Sequence, residues 1–254
     1  MDGNRDIARH LLGQLWSAFA LLTVLPVPNH KPAGAAAAWA WPLVGVALGV
    51  LSALVMGAAM MVGLPAGVAA VLGLGTMTIA TAALHEDGLA DTADGFFGGR
   101  TPEKRLEIMK DSRNGSFAGL ALILVTLARW SAVAALVAQG GATAAVIVSA
   151  AASRVPMVAL MAMLPNARGN GLSQSVGRPD RDTVVVAAAL AFVISLVLVG
   201  WATLWLWAGL VLLTMGIGAL SRARIGGQTG DVLGASQQLA DLFCLAVLAA
   251  AIAQ

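Results

Sequence analysis

The sequence predicts an all-α, polytopic integral membrane protein of about seven (six to eight) transmembrane helices. Three observations predict it. First, 59% of the 254 residues are hydrophobic and 11% are charged, against about 25% charged residues in ordinary globular domains. A chain so poor in charge cannot clothe a water-facing surface. Second, its apolar runs repeatedly reach the roughly 20 residues that a helix needs to cross about 30 Å of hydrocarbon. Third, the charges gather in alternate connections between those runs. A net charge of +2 gives no footing for nucleic acid, and Cys244 as sole cysteine excludes a disulfide scaffold.

Taken in order, residues 11–25 form a short apolar stretch ended by Pro26-Val27-Pro28. Arg5, Arg9 and His10 precede it as in a signal peptide, but no small-x-small cleavage site follows, so it is expected to remain as a short span or an interfacial helix. Runs 38–62, 66–84, 117–138 and 142–164 are each long enough for one span. Run 183–220 is too long for one and is expected to fold back near Gly200, while 239–253 closes the chain as a short last span. The 29 glycines suit close helix packing in lipid. No soluble domain or linker is visible, so 1–254 reads as one membrane domain with polar loops at about 26–37, 85–116, 165–182 and 221–237.

The connections near 63–65, 139–141 and Gly200 carry no charge, whereas twelve charged residues fall between positions 86 and 113 alone. Lys- and Arg-rich loops stay in the cytoplasm. Every long polar loop is therefore expected on the cytoplasmic side, and the working surface with it.

The densest chemistry follows a span directly: His85-Glu86-Asp87-Gly88-Leu89-Ala90-Asp91-Thr92-Ala93-Asp94-Gly95. Asp87, Asp91 and Asp94, at i, i+4 and i+7, share one face of a helix. Glu86, about 100° around from Asp87, lies outside that set. Three carboxylates on one stripe repel unless a cation joins them, and Mg²⁺ is held by a few carboxylates plus phosphate oxygens. The plainer reading is a solvated acidic helix end.

Downstream, Arg100, Lys104 and Arg105 serve equally as a basic rim or as topology signals, while Lys110-Asp111-Ser112-Arg113-Asn114-Gly115 forms a compact polar run at the mouth of the next span. Gly226-Gly227-Gln228-Thr229-Gly230-Asp231 reads either as a simple turn or as a loop whose backbone approaches a ligand closely. Arg129 and Arg154 lie inside spans, where an unpaired charge costs at least a few kcal/mol. Their partner is an anionic substrate, or an aspartate such as Asp241 in a structural ion pair. Carboxylates, a metal and a basic rim at membrane level point to phosphoryl or nucleotidyl chemistry.

The two long polar runs closely resemble the cobalamin 5′-phosphate synthase family (adenosylcobinamide-GDP ribazoletransferases). The similarity continues in Leu25-Pro26-Val27-Pro28, Ser153-Arg154, Ala167-Arg168 with Gly171-Leu172, and the 226–231 loop with Leu233-Gly234-Ala235. Val24, Gln237 and Gln238 depart from the pattern, which has a basic residue at the first position and acidic ones near the others. The resemblance implies a multi-pass enzyme of the bacterial inner membrane that joins adenosylcobinamide-GDP to α-ribazole or its 5′-phosphate late in vitamin B12 assembly. It implies release of GMP and Mg²⁺ as cofactor. In that frame Asp87, Asp91 and Asp94 are the expected metal ligands, and Asp111 and Asp231 are further ligands or the base. Lys110, Arg113, Arg129, Arg154 and Arg168 neutralise phosphates, while His85, Asn114, Gly227, Thr229 and Gly230 position substrate. Membrane lipid, a second copy of the chain and other late enzymes of that pathway are the remaining partners this frame admits.

Two other readings compete. A CDP-alcohol phosphotransferase also displaces a nucleoside monophosphate, but its Asp-Gly-x-x-Ala-Arg run is missing, since Asp87-Gly88 continues as Leu89-Ala90-Asp91. An ion-coupled transporter would set its key charges near the midplane and repeat its halves.

Overall fold

The structure, a computed structural model, describes residues 2–252 and is built of helices. Helix α1 (Asp2–Leu22) is followed by a 3₁₀ turn (Gly34–Ala40) that runs into α2 (Trp41–Met61). Then come α3 (Ala66–Ala80), α4 (Leu84–Gly98), the short α5 (Pro102–Ile108), α6 (Ser116–Ala138), and α7 (Ala142–Ala152) with α8 (Arg154–Met163). A short α9 (Leu172–Val176) precedes α10 (Arg181–Val199), α11 (Ala202–Ile225) and α12 (Gly230–Ile252). Among the described residues six helical stretches are long and apolar enough to cross a membrane, and the bent pair α3–α4 makes a seventh if counted as one span. Helix α1 is not among them.

Helices α7–α8 and α12 are the most enclosed, while α6, α10 and α11 form the outside. The outer helices expose Val197, Leu204, Trp205, Leu212 and Met215, a surface that only lipid would cover. Close helix contact is bought with glycine where α2 meets α7. A Cβ on Gly49 would stand 2.6 Å from the Ile147 Cα, and one on Gly45 would strike the Ala150 carbonyl.

Three segments differ from the expected ones. Run 66–84 stops at Ala80 because Ala82 and Ala83 take left-handed backbone angles (φ 49° and 57°), and α4 leaves at 87° to α3. Without glycine there, each alanine carries roughly 1 kcal/mol of strain. Ala83→Gly should therefore raise the midpoint of thermal unfolding in detergent and Ala83→Val should lower it. The second difference is α12, which begins at Gly230 rather than near 239, because residues 230–237 are helical rather than loop, with Gln237 buried in the bundle and Asp231 half-buried in the first turn. The third is minor: the expected break at Gly200 (φ 57°) is present, and α11 then runs on to Ile225.

The polar connections gather at one end of the bundle. The amide N–H of Val24 donates to the Ala80 carbonyl at 2.9 Å, and Arg105 Nη1 donates to the Arg224 carbonyl at 2.8 Å. Residues 165–167 pair with Gln228: Ala167 N–H donates to the Gln228 carbonyl and Gln228 N–H to the Pro165 carbonyl, both at 2.8 Å.

Candidate active site

The site begins where α4 crosses α12 glycine on glycine. A Cβ on Gly88 would lie 2.7 Å from the Asp231 carbonyl oxygen and 3.1 Å from the Gly234 Cα. Only bare backbone permits that approach, and it sets Asp87 and Asp91 of α4 beside Asp231 in the first turn of α12. The charges of Asp231, Asp87 and Asp94 all act on Asp91, and Arg168 opposes them. A cavity of about 220 Å³ opens here, lined by His85, Asp87, Arg168, Ser173, Thr229 and Asp231 against an apolar wall of Leu22, Trp41 and Met157. The first turns of α4 and α12 both border it. Two helix N-termini, with their unpaired N–H groups and partial positive charge, favour an anion at this place.

Arg168 is aimed by its loop. Asn166 Oδ1 accepts from the N–H groups of Arg168 and Gly169 at 2.9 Å, and Asn166 Nδ2 donates to Ser173 Oγ at 2.8 Å. The Arg168 guanidinium then sits 2.8 Å from an Asp231 carboxylate oxygen, largely buried. Nη2 makes that contact, whereas Nε carries no hydrogen bond among the described residues, so a donor remains for a further oxygen ligand. Gly227 contributes by bare backbone, since a Cβ there would strike the Pro165 carbonyl, while Thr229 and Gly230 line the cavity itself.

Asp94 shares the helical face of Asp87 and Asp91 but has a different neighbour. It is buried, and its two oxygens accept from the N–H groups of Gly115 at 2.5 Å and Ala118 at 2.9 Å, capping α6. Asp94→Ala should lower stability by roughly 1–2 kcal/mol. Asp94→Asn, which keeps one acceptor, should lose about half of that, as read by thermal unfolding in detergent.

The run Lys110 to Asn114 lies exposed between α5 and α6 and does not line the cavity. Arg113 grips Asp111 there, Nη2 to Oδ2 at 2.6 Å, and holds its carboxyl down at about 2. Because that value is lowered, the pair is complete above the ordinary carboxylate range and is lost only as pH falls through about 2. Asp111 is thereby a poor proton acceptor near neutrality.

Arg129 and Arg154 are brought together, but inside the bundle rather than at the cavity. Arg129 donates from Nε to Asp241 at 2.9 Å and from Nη1 to Gln238 Oε1 at 2.6 Å, with Glu86 at 3.6 Å. Thr78 donates to Glu86 at 2.9 Å. Gln238 donates to Gln237, and Gln237 to Ser153 at the α7–α8 junction, each at 3.0 Å. Arg154, 1% exposed, donates to the Ala150 carbonyl at 2.6 Å. Asp241, one of the two partners open to Arg129 in the sequence, pairs with it here. Glu86, Gln237 and Gln238 were no part of the sequence-level site; polar residues at adjacent and i+4 positions of an otherwise apolar helix, as in Gln237, Gln238 and Asp241, were the signal available.

Among the described residues no three His, Cys, Asp or Glu are arranged to hold a metal ion. The expected trio Asp87, Asp91 and Asp94 is thus not assembled as a cage. Neither Asp87 nor Asp91 has an ion-pair partner among the described residues. Two free carboxylates beside an anion-favouring cavity suit Mg²⁺, which takes one or two carboxylates and fills its octahedron with water and phosphate oxygens.

Comparison with known proteins identifies the family. The family profile described as cobalamin-5-phosphate synthase matches residues 14–249. A protein of Bradyrhizobium diazoefficiens named adenosylcobinamide-GDP ribazoletransferase is 41% identical over 252 residues, covering 96% of each chain. One of the same name from Brucella ovis is 41% identical over 250 residues, covering 92% of this chain and 95% of the relative. No solved structure matches. With a profile match over nearly its whole length and relatives so similar from end to end, the chain belongs to the cobalamin-5-phosphate synthase family.

Proposed function

We propose that the chain is an adenosylcobinamide-GDP ribazoletransferase of the bacterial inner membrane, with its polar loops in the cytoplasm. It joins adenosylcobinamide-GDP to α-ribazole or α-ribazole 5′-phosphate and releases GMP. The observation that carries this reading is the convergence of two helix N-termini and Arg168 on Asp87 and Asp231 around one cavity, with Asp91 one turn along α4 within reach of both their charges. An anion and a set of carboxylates have reason to share such a place when a diphosphate and a cation bind together.

Asp87 and Asp91 would hold Mg²⁺, which lowers the charge of the diphosphate and of the departing GMP. Arg168 donates its free Nε–H to a phosphate oxygen, assisted by the N–H groups at the start of α12. Thr229 and His85 orient the diphosphate. The ribazole hydroxyl oxygen attacks the phosphorus on the cobinamide side, the phosphorus–oxygen bond to GMP breaks, and Asp231 takes the hydroxyl proton. At about 220 Å³ the cavity encloses the reacting groups, leaving the corrin and guanosine outside it.

The test is turnover by purified protein in detergent with adenosylcobinamide-GDP, α-ribazole and Mg²⁺, followed by chromatography of GMP. Stoichiometric GMP and a cobamide product are expected. Absence of both, with folded protein and every metal tried, overturns the reading.

A further inference from the structure

A second built surface lies on α1, away from the cavity. Leu15, Ala18 and Leu22 pack against the body of the protein, in one apolar cluster with Val184 and Ala187 from the first turns of α10. Since α10 is a spanning helix that begins at Arg181, this contact holds α1 at the level where a span enters the membrane. The apolar stripe continues toward the N-terminus at i−4 steps to Leu11 and Ile7, which are 44% and 59% exposed beside exposed Leu12. A helix not apolar enough to cross, fixed at the membrane boundary with a bare apolar edge, lies in the interface.

Exposed Leu12 borders a groove of about 630 Å³ between α1 and residues 29–33. Arg9, His10 and Trp16 form one wall and His30 and Lys31 the other, with no acidic side chain in the lining among the described residues. Asp6 approaches Arg9 only to 3.8 Å, with both side chains mostly in solvent. The walls are fastened together: Ala33 N–H donates to Ser17 Oγ at 3.0 Å and Trp39 Nε1 donates to Gln14 Oε1 at 2.6 Å.

We infer that this groove binds the headgroup phosphate of an anionic phospholipid, whose acyl chains leave it over Leu12 and Trp16. Cations on both walls of an open groove match a phosphate, and the apolar Leu12 and Trp16 in its lining match the chains of the same molecule. A soluble anion would leave those two side chains uncovered.

The test reconstitutes the full-length protein in phosphatidylcholine nanodiscs containing a minority of phosphatidylglycerol, and counts retained lipids by native mass spectrometry. The wild type is expected to enrich phosphatidylglycerol, and Arg9→Gln/Lys31→Gln to lower the enrichment about tenfold. Arg100→Gln/Lys104→Gln, which removes equal charge from another polar loop, should leave it unchanged. Lys31→Gln alone, at an exposed position whose side chain makes no hydrogen bond, should lower it about threefold to fivefold and guards against misfolding of the double variant. Leu12→Asn should also lower it. Unchanged enrichment in Arg9→Gln/Lys31→Gln overturns the inference. So does displacement of the lipid by millimolar inorganic phosphate, which would mark a site for a soluble anion.

Discussion

Asp91→Asn should lower GMP release by about a thousandfold or more, a loss of roughly 4 kcal/mol of transition-state stabilisation, and should leave the protein folded. The size follows from what surrounds Asp91. It is partly buried, the charges of Asp87, Asp94 and Asp231 bear on it, and only Arg168 opposes them. Asn is isosteric and removes one of four mutually repelling charges, so folding should not suffer. A cation on Asp87 and Asp91 would lose half of its protein ligands, and the diphosphate would lose the cation. Asp94→Asn is the proper comparison. It stands one turn along the same stripe, yet its oxygens serve the N–H groups of Gly115 and Ala118. Its defect should be one of stability, with turnover per folded molecule within about tenfold of wild type. Steady-state GMP release, corrected for folded protein by size exclusion in detergent, separates the two. Near-normal turnover in Asp91→Asn would sink the metal assignment, and equal loss in both would restore Asp94 to the ligand set.

What the sequence made legible tracks what depends on length and composition alone. The break at Gly200 follows from a run too long for one crossing, and the polar end of the bundle follows from counting charges by connection. The pairing of Asp87 and Asp91 follows from helical periodicity. Periodicity fails at Asp94, because position on a face says nothing of what the next helix brings to it. It fails again at α12, where an apolar-run criterion places the start near 239. The helix extends to Gly230 with Gln237 and Gln238 enclosed by neighbours, and polarity that reads as loop in one dimension is core in three. Glu86 went unassigned for a related reason: the 100° that removes it from the Asp87 face turns it toward Arg129. The proximity of Asp231 to Asp87 depends on Gly88 and Gly234 meeting across 146 residues of chain, and no local pattern carries that.

Arg129 makes the second large prediction, and here the loss is in folding before it is in chemistry. The guanidinium is 4% exposed and Asp241 is 1% exposed, at 2.8 Å. Arg129→Met leaves Asp241 and Glu86 as buried carboxylates with little to answer them except Arg154, and removing one partner of such a pair costs about 3–5 kcal/mol. Most of the variant should fail to fold or should unfold well below the wild type. Arg129→Met/Asp241→Leu removes both charges and should recover much of the stability, because the desolvation cost of the pair disappears along with its attraction. Thermal unfolding of the single and double variants in one detergent measures the coupling. If the double variant is no more stable than Arg129→Met, the pair is not what holds α6 to α12. Recovered stability should not bring full recovery of turnover. Glu86 adjoins Asp87 on α4 and is held from two sides, by Thr78 at 2.9 Å and Arg129 at 3.6 Å. With Arg129 gone one of those holds is gone, and Asp87 stands on a helix whose rotation against α12 is less fixed. A displacement of about 1 Å at a reacting centre is enough to lower turnover about a hundredfold, so a double variant that is stable yet slow would locate the function of the buried ion pair in the placement of α4.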